Sequence, residues 1–353
     1  MGIRLVARCV RGVETAVASE ILRSDLGAVV AIGHREVHFR PCRPDPAVVR
    51  LRSADDVLLC AAAGPDIGTA RDSVAALAEL ADAVDMSALL ARRRDCGGRA
   101  DLGGGVDVSA SFLGRRNFSR YDVEEVVGRA LARRWGVRYR SRRDGAPPVA
   151  YSGWRLTLDG IESRLLLRVA DRPLHRRPYK RQAIPGTLHP PLAAVMAQLA
   201  EIPRGAMVLD PCCGAGTLLA EAVHLRPDAV FRGYDWSPDA VRAARANVPA
   251  GVEVRRGDAG DLAMADASVD RVLCNPAWGG QVAPAGRLAA DPLRLWPQLR
   301  RVLAPGGIAV VLIPDTSALA PAIAADLVPT RIQGVRVSGK QVHIVKLAPG
   351  CPG

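Results

Sequence analysis

Early in its second half the chain reads Ala206-Met207-Val208-Leu209-Asp210-Pro211-Cys212-Cys213-Gly214-Ala215-Gly216-Thr217. Residues 206–210 predict a short buried strand, 211–217 a tight loop and 218–225 the opening of a helix. Further strands and helices alternate beyond it, the signature of an open parallel sheet. A ligand of such a sheet sits at the carboxyl ends of its strands. A dinucleotide fingerprint would need a third small residue at position 219, which is Leu219, and Asp210 would repel a pyrophosphate. An acid at this point suits a cationic ligand with a free amino group, and the glycines let backbone approach it without a Cβ in the way.

The next strands supply matching acids. Residues 230–235 end in Asp235, whose carboxylate can accept both hydroxyls of a ribose. Ser237 predicts an N-cap for a helix over 240–247. Residues 252–255 predict a third strand, and Gly257-Asp258-Ala259 places Asp258 where it could accept from an adenine amine. Three acids at the ends of successive strands point to S-adenosylmethionine. The candidate cofactor residues are Asp210, Cys212, Gly214, Gly216, Thr217, Asp235, Trp236, Asp258, Ala259 and Asn275.

A fourth strand over 269–274 runs into Asn275-Pro276-Ala277-Trp278-Gly279-Gly280. This segment resembles the Asn-Pro-Pro-aromatic loop of methyltransferases that modify planar exocyclic or amide nitrogens. The lone pair of such a nitrogen is delocalised and poorly nucleophilic. The Asn275 amide oxygen and the Pro276 carbonyl can accept its two N–H groups and aim the lone pair at the methyl, while Trp278 offers a stacking platform for a base. Asn275 cannot serve as a general base, so Asn275, Pro276 and Trp278 are read as positioning catalytic groups. Ala277 stands where the pattern has its second proline, and Trp278 where Tyr or Phe is commoner. Beyond the loop, a helix over 291–303, a stop at 304–307, a strand over 308–313, a helix over 317–327 and a hairpin of 331–337 with 341–347 around Gly339 complete the expected sheet.

The 353 residues suit two or three compact units, and 49% hydrophobic residues suffice for packed cores. No apolar run is long enough to span a membrane. The start resembles no signal peptide, and eight cysteines without CxxC or zinc spacing predict reduced thiols, no metal and a cytoplasmic protein. The net charge of +12 is concentrated: residues 90–181 hold 22 Lys and Arg against 10 Asp and Glu, and the rest of the chain is neutral. A local positive field of this kind suits nucleic acid.

The N-terminal half adds a resemblance. A strand running into a helix over 7–22, with a strand at 36–39, looks like the small ferredoxin-like domain that precedes a THUMP domain. The segments 109–118, 121–131, 154–158 and 164–169 are similar to THUMP strands and helix. Leu174-His175-Arg176-Arg177-Pro178-Tyr179-Lys180 resembles the junction from that domain to the catalytic one. The chain thus resembles THUMP-containing RNA guanine-N2-methyltransferases, the tRNA acceptor-stem enzymes above all. The resemblance implies an α/β chain with a C-terminal Rossmann-like class I methyltransferase sheet and N-terminal α+β domains. Its boundaries would be 1–70 for the ferredoxin-like domain, 71–172 for the RNA-binding THUMP domain, 173–190 for a linker and 191–353 for the catalytic domain. It further implies S-adenosylmethionine as cofactor, structured RNA such as tRNA as partner, and methylation of a guanosine N2. Candidate phosphate contacts are Arg115, Arg116, Arg120, Arg133, Arg134, Arg142, Arg143, Arg176 and Arg177. A 23S rRNA guanine is the nearest alternative substrate. A protein-glutamine N-methyltransferase, or an RNA-binding protein with an inactive catalytic domain, are the alternatives of another class.

Overall fold

The computed structural model describes residues 3–279 and 282–350. Gly280 of the predicted catalytic loop lies outside them. The chain divides into two compact units: residues 1–9 with 17–174, and residues 10–16 with 175–353.

In the first unit seven strands form one mixed sheet. They are β1 (Leu5–Arg8), β2 (Ala28–Gly33), β3 (Glu36–Arg40), β4 (Asp56–Pro65), β5 (Val106–Phe112), β6 (Ser152–Leu158) and β7 (Glu162–Arg168), in the order β2-β3-β1-β4-β7-β6-β5. Strand β4 pairs antiparallel with β1 on one side and with β7 on the other. The strands expected in a ferredoxin-like domain and those expected in a THUMP domain therefore share one sheet. Helix Arg120–Trp135 covers the expected helical segment 121–131. Ser119 and Asp122 close a reciprocal capping box at its start, and Gly136, at φ 63°, ends it. Its buried Val123, Val127 and Leu131 recur at helical spacing.

In the second unit a seven-stranded sheet consists of β8 (Met207–Asp210), β9 (Val230–Asp235), β10 (Glu253–Arg256), β11 (Val269–Cys274), β12 (Leu303–Ile313), β13 (Leu327–Val337) and β14 (Lys340–Pro349). Its order is β10-β9-β8-β11-β12-β14-β13. Pairs from β10 to β12 are parallel, and β14 is antiparallel to both its neighbours. The chain steps outward from β8 to β10 and then returns to the other side of β8 with β11, so strand order reverses between β8 and β11. One side of the core packs Trp296, Leu299 and Val302, from helix Leu295–Val302, against Val272, Val311 and Val345. Burying a side chain of this size contributes roughly 1.5–3 kcal/mol.

Several boundaries differ from the sequence reading. The expected stop at 304–307 lies inside β12: Val269 pairs with Leu303, and Arg271 with Ile308. The four intervening residues bulge, with Gly306 at φ 73°. The helix expected over 291–303 begins with a 3-10 turn, Pro292–Arg294, whose cap is Asp291. The helix expected over 317–327 is shorter, Leu319–Ala324, because β13 already starts at Leu327.

Candidate active site

The strand order brings the three acids to one edge. Asp210 is the last residue of β8, Asp235 the last of β9, and Asp258 follows β10 by two residues. Gly233 pairs with Asp210, and Asp235 with Arg256, across neighbouring strands.

The loop after β8 is held by its own backbone. Cys213 donates its N–H to the Tyr234 carbonyl at 2.8 Å, and Gly216 donates to the Cys213 carbonyl at 2.7 Å. Gly216, at φ 75°, precedes helix Thr217–Leu225, and a Cβ there would lie 2.7 Å from Val248 Cγ1. A side chain there would press on Val248 and on Ala244 of helix Pro238–Asn247, and the positive φ itself favours glycine. A Cβ at Gly214, by contrast, would meet nothing within 4 Å.

Asp210 is 1% exposed. Its Oδ1 accepts from the Cys212 N–H at 3.1 Å, and its Oδ2 has no hydrogen-bond partner among the described residues. Burial pushes the Asp210 carboxyl well above its ordinary range; the Cys212 N–H opposes this and the Asp235 charge adds to it. Thr217 Oγ1 is likewise buried without a partner. A buried carboxylate oxygen and a buried hydroxyl lacking partners are costly unless a ligand completes them. An ammonium ligand would do so at Asp210. S-adenosylmethionine, whose amino group is such a cation, fits this donor set.

The other two acids are engaged with backbone. Asp235 accepts from the N–H of Gly214 at 2.9 Å through Oδ2 and from that of Ser237 at 2.9 Å through Oδ1. Each oxygen keeps a second lone pair for a hydroxyl. Asp258 accepts from the N–H groups of Gly260 at 2.9 Å and Arg287 at 2.8 Å, so it also fixes the chain beyond the loop that follows β11. Trp236 is 44% exposed, with the Arg256 guanidinium 4.9 Å from its ring centre, while Ala259 is buried in the core.

The segment from Asn275 to Trp278 leaves the end of β11, the strand beside β8. Pro276 is buried, and Asn275 and Ala277 are half-buried. Trp278 is anchored: its Nε1–H donates to the Leu312 carbonyl at 2.9 Å, and its ring centre lies 6.2 Å from that of Trp296. These contacts fix the ring by one edge and hold the loop that carries Asn275.

A residue that the sequence reading missed ties this edge together. Asn247 ends helix Pro238–Asn247 and is 3% exposed. Its Oδ1 accepts from the N–H groups of Arg181 at 2.8 Å and Gln182 at 2.9 Å. Its Nδ2 donates to the carbonyls of Gln182 at 2.8 Å and Ala215 at 2.9 Å. The junction after residue 180 is thereby fastened to the loop that follows β8. The only signal in the sequence was a polar residue on the buried side of an amphipathic helix.

The candidate phosphate contacts separate by environment. Arg177 is a correction: its Nε meets Glu221 Oε1 at 3.0 Å, with side chains 5% and 0% exposed, and Tyr179 donates to the same oxygen at 2.7 Å. Arg116 is another, since its guanidinium grips Asp66 through two hydrogen bonds of 2.6 and 2.9 Å and is 4% exposed. Both are structural cations withdrawn from solvent by a buried acid. Arg142 makes a two-point contact with Asp107 at 2.8 and 2.6 Å and is one-third exposed. Arg115, Arg120, Arg133, Arg134, Arg143 and Arg176 are exposed. Of these, Arg120 and Arg143 flank the Tyr121 ring at 4.7 and 5.0 Å, Arg143 also meets Asp122 at 2.7 Å, and Arg134 pairs with Asp82 at 3.4 Å.

Comparison with known proteins agrees with this geometry. Residues 177–344 match the family model described as UPF0020: RMKL-like, methyltransferase domain. The tRNA (guanine(6)-N2)-methyltransferase of Thermus thermophilus is 34% identical over 217 residues, 59% of this chain and 62% of that protein. The mouse (Mus musculus) U6 snRNA (guanine-N(2))-methyltransferase THUMPD2 is 30% identical over 206 residues, 57% of this chain and 37% of that protein. The matches thus span less than two thirds of the length of these curated relatives. The crystal structure of TrmN from Thermus thermophilus superposes with a TM-score of 0.76 over 98% of this chain and 99% of that one, at 25% identity.

Proposed function

We propose that this chain, whose residues 177–344 form an RMKL-like methyltransferase domain with S-adenosylmethionine as its cofactor, methylates the exocyclic N2 of a guanosine in RNA, with tRNA as the substrate. The observation that carries the proposal is the pairing of two loops on adjacent parallel strands. Asp210, with an unpartnered buried oxygen, ends β8, and Asn275-Pro276 leaves β11 beside it. The relatives named for guanine-N2 methylation of tRNA and snRNA support the choice of nitrogen and of substrate.

The cofactor supplies an electrophilic methyl group on a sulfonium. Asp210 and Thr217 hold its polar end, Gly214 leaves room for it, and Asp235 accepts its ribose hydroxyls. Asn275 Oδ1 and the Pro276 carbonyl accept the amine hydrogens of the base, and Trp278 supports the base or the loop that holds it. Positioning of this kind supplies most of the barrier reduction, because no ionised base is needed before transfer.

The exposed arginines Arg115, Arg120, Arg133, Arg134, Arg143 and Arg176, with the partly exposed Arg142, contact RNA phosphates. Their charge is sequence-independent and orients the substrate. A THUMP-type RNA-binding role for residues 71–172, after a ferredoxin-like 1–70, and a cytoplasmic location accord with this substrate. The test is methyl transfer from labelled S-adenosylmethionine to separate pools of unmodified tRNA, ribosomal RNA and cell protein. Label in tRNA supports the proposal. Label confined to ribosomal RNA moves the substrate, and label confined to protein overturns the RNA reading.

A further inference from the structure

Helix Pro238–Asn247 and strand β10 border an open groove of about 360 Å³ in the second unit. Pro238, Val241, Arg242 and Arg245 line it from the helix, and Arg256 from the strand. The four helix positions recur at three- and four-residue spacing and so share one face. Arg256 lies two residues beyond the buried Val254 and shares its face of β10. The groove thus combines apolar surface with three guanidinium groups and no acid, at a volume typical of ligand sites. Two of the arginines are held in place. Arg245 donates from Nε and Nη2 to the Val254 carbonyl at 3.0 and 2.8 Å, tying the helix to the edge strand. Arg256 donates from Nε to the Trp236 carbonyl at 3.1 Å, with its guanidinium 4.9 Å from the centre of the Trp236 ring. Among the described residues these carbonyls are their only hydrogen-bond partners, and neither side chain forms an ion pair. Both keep Nη–H groups for a ligand, already oriented. Arg242 has one acid, Asp239, a turn earlier on the helix. A face serving only as solvated charge would not need two of its arginines fixed around an apolar depression.

The groove also lies on the right edge of the sheet. Arg256 ends β10 as Cys274 ends β11, and the strands from β10 to β11 are parallel, so both residues lie at the carboxyl edge. Three strand spacings, about 14 Å, separate β10 from β11. A few nucleotides of single strand cross that distance. We propose that this groove is an RNA-backbone site on the catalytic unit, taking the sugar–phosphate chain that flanks the target nucleotide. Arg242, Arg245 and Arg256 hold the phosphate, and Pro238 and Val241 take the sugar. Contacts of this kind carry no sequence information; they fix the register of the strand, and so which nucleotide reaches Asn275. The inference rests on RNA as the substrate.

The test labels the full chain with an arginine-directed dicarbonyl reagent, alone and saturated with a tRNA transcript, and reads the sites by peptide mass spectrometry. Arg242 and Arg256 should be labelled in the free chain and lose that labelling with tRNA, whereas S-adenosylhomocysteine should not protect them. Arg242→Gln and Arg256→Gln should each lower the slope of log tRNA affinity against log salt by about 0.7–0.9. Calorimetry should show S-adenosylhomocysteine affinity unchanged in both, and Arg256→Lys, which keeps the charge, should restore most of the slope. Labelling of both arginines undiminished by tRNA, while Arg133 or Arg176 is protected, overturns the groove and leaves the RNA substrate standing. Equal protection by polyglutamate assigns the groove to acidic chains in general and overturns its assignment to RNA. If tRNA protects no arginine anywhere, the RNA reading falls together with the groove.

Discussion

The Asn247 amide nitrogen donates to the Ala215 carbonyl at 2.9 Å, joining the end of one helix to the centre of the glycine loop after β8. The same side chain holds Arg181 and Gln182 through three further hydrogen bonds. Asn247→Ala leaves these buried backbone groups unsatisfied, at about 1–3 kcal/mol for each one that water cannot reach. Asn247→Asp keeps the two acceptor contacts and loses both donors. The expected outcome is a lower Tm for the alanine variant. For the aspartate variant, calorimetry should show weaker cofactor binding with a smaller loss of stability.

Asp210 sets a pH dependence whose sign is fixed by its burial. Its carboxyl titrates well above the ordinary carboxylate range in the folded chain, so the folded state holds a proton that the unfolded state releases. The cofactor-free protein therefore loses stability as pH rises from the ordinary carboxylate range through the raised value. Asp210→Asn removes that decline, and a pH series of denaturant melts checks it. Binding of a cationic amino group needs the ionised form. Affinity should fall as pH is lowered, and binding near the raised value should release protons, visible as calorimetric heats that depend on the buffer. Asp210→Asn should lose about 1.5–3 kcal/mol of binding, the worth of a hydrogen bond to a charged group.

Much of this was legible because the responsible residues are local. The buried run 207–210, the glycine loop and the acids at strand ends fix a parallel sheet through neighbouring positions alone. Ser237 was legible as an N-cap for the same reason, and its side chain accepts from Ala240 N–H. What could not be read depends on partners far away in the chain. Glu221 looked like one polar residue in a helix, yet it is the buried acid that takes Arg177, 44 positions earlier. Charge counting could place the positive surplus in the middle of the chain. It could not show that Arg116 is neutralised by Asp66, 50 positions away. The strand β4 escaped notice because Ala61 to Pro65 carries small residues with little alternation.

The buried Arg177–Glu221 pair predicts a stability effect distinct from any on RNA. Glu221→Ala takes the carboxylate away from the buried Arg177, and Arg177→Ala takes the guanidinium away from the buried Glu221. Removing one partner of a buried pair costs about 3–5 kcal/mol. Denaturant melts should show losses of this order for either single variant, and a smaller loss for Arg177→Met combined with Glu221→Leu.

The exposed arginines predict the opposite pattern. Arg133→Gln and Arg176→Gln should leave Tm nearly unchanged and weaken tRNA binding uniformly across sequences. Each lost phosphate contact should reduce the slope of log affinity against log salt by about one. A filter-binding series over salt concentration measures this, and an unchanged slope would remove those residues from the proposed RNA surface.

The proposed role of Asn275 in positioning the target base is the central claim. The most direct measurement is nucleoside mass spectrometry of a tRNA transcript incubated with the protein and labelled S-adenosylmethionine, beside a transcript with inosine, which lacks the N2 amine, in place of guanosine. Label is expected in N2-methylguanosine, with none in the inosine transcript. Asn275→Ala should lower the rate by about 10²–10³, typical of removing one positioning hydrogen bond at a reacting centre, while cofactor binding persists. Label on N1 or N7 of guanosine, on adenosine, or undiminished in the inosine transcript would contradict N2 methylation positioned by Asn275.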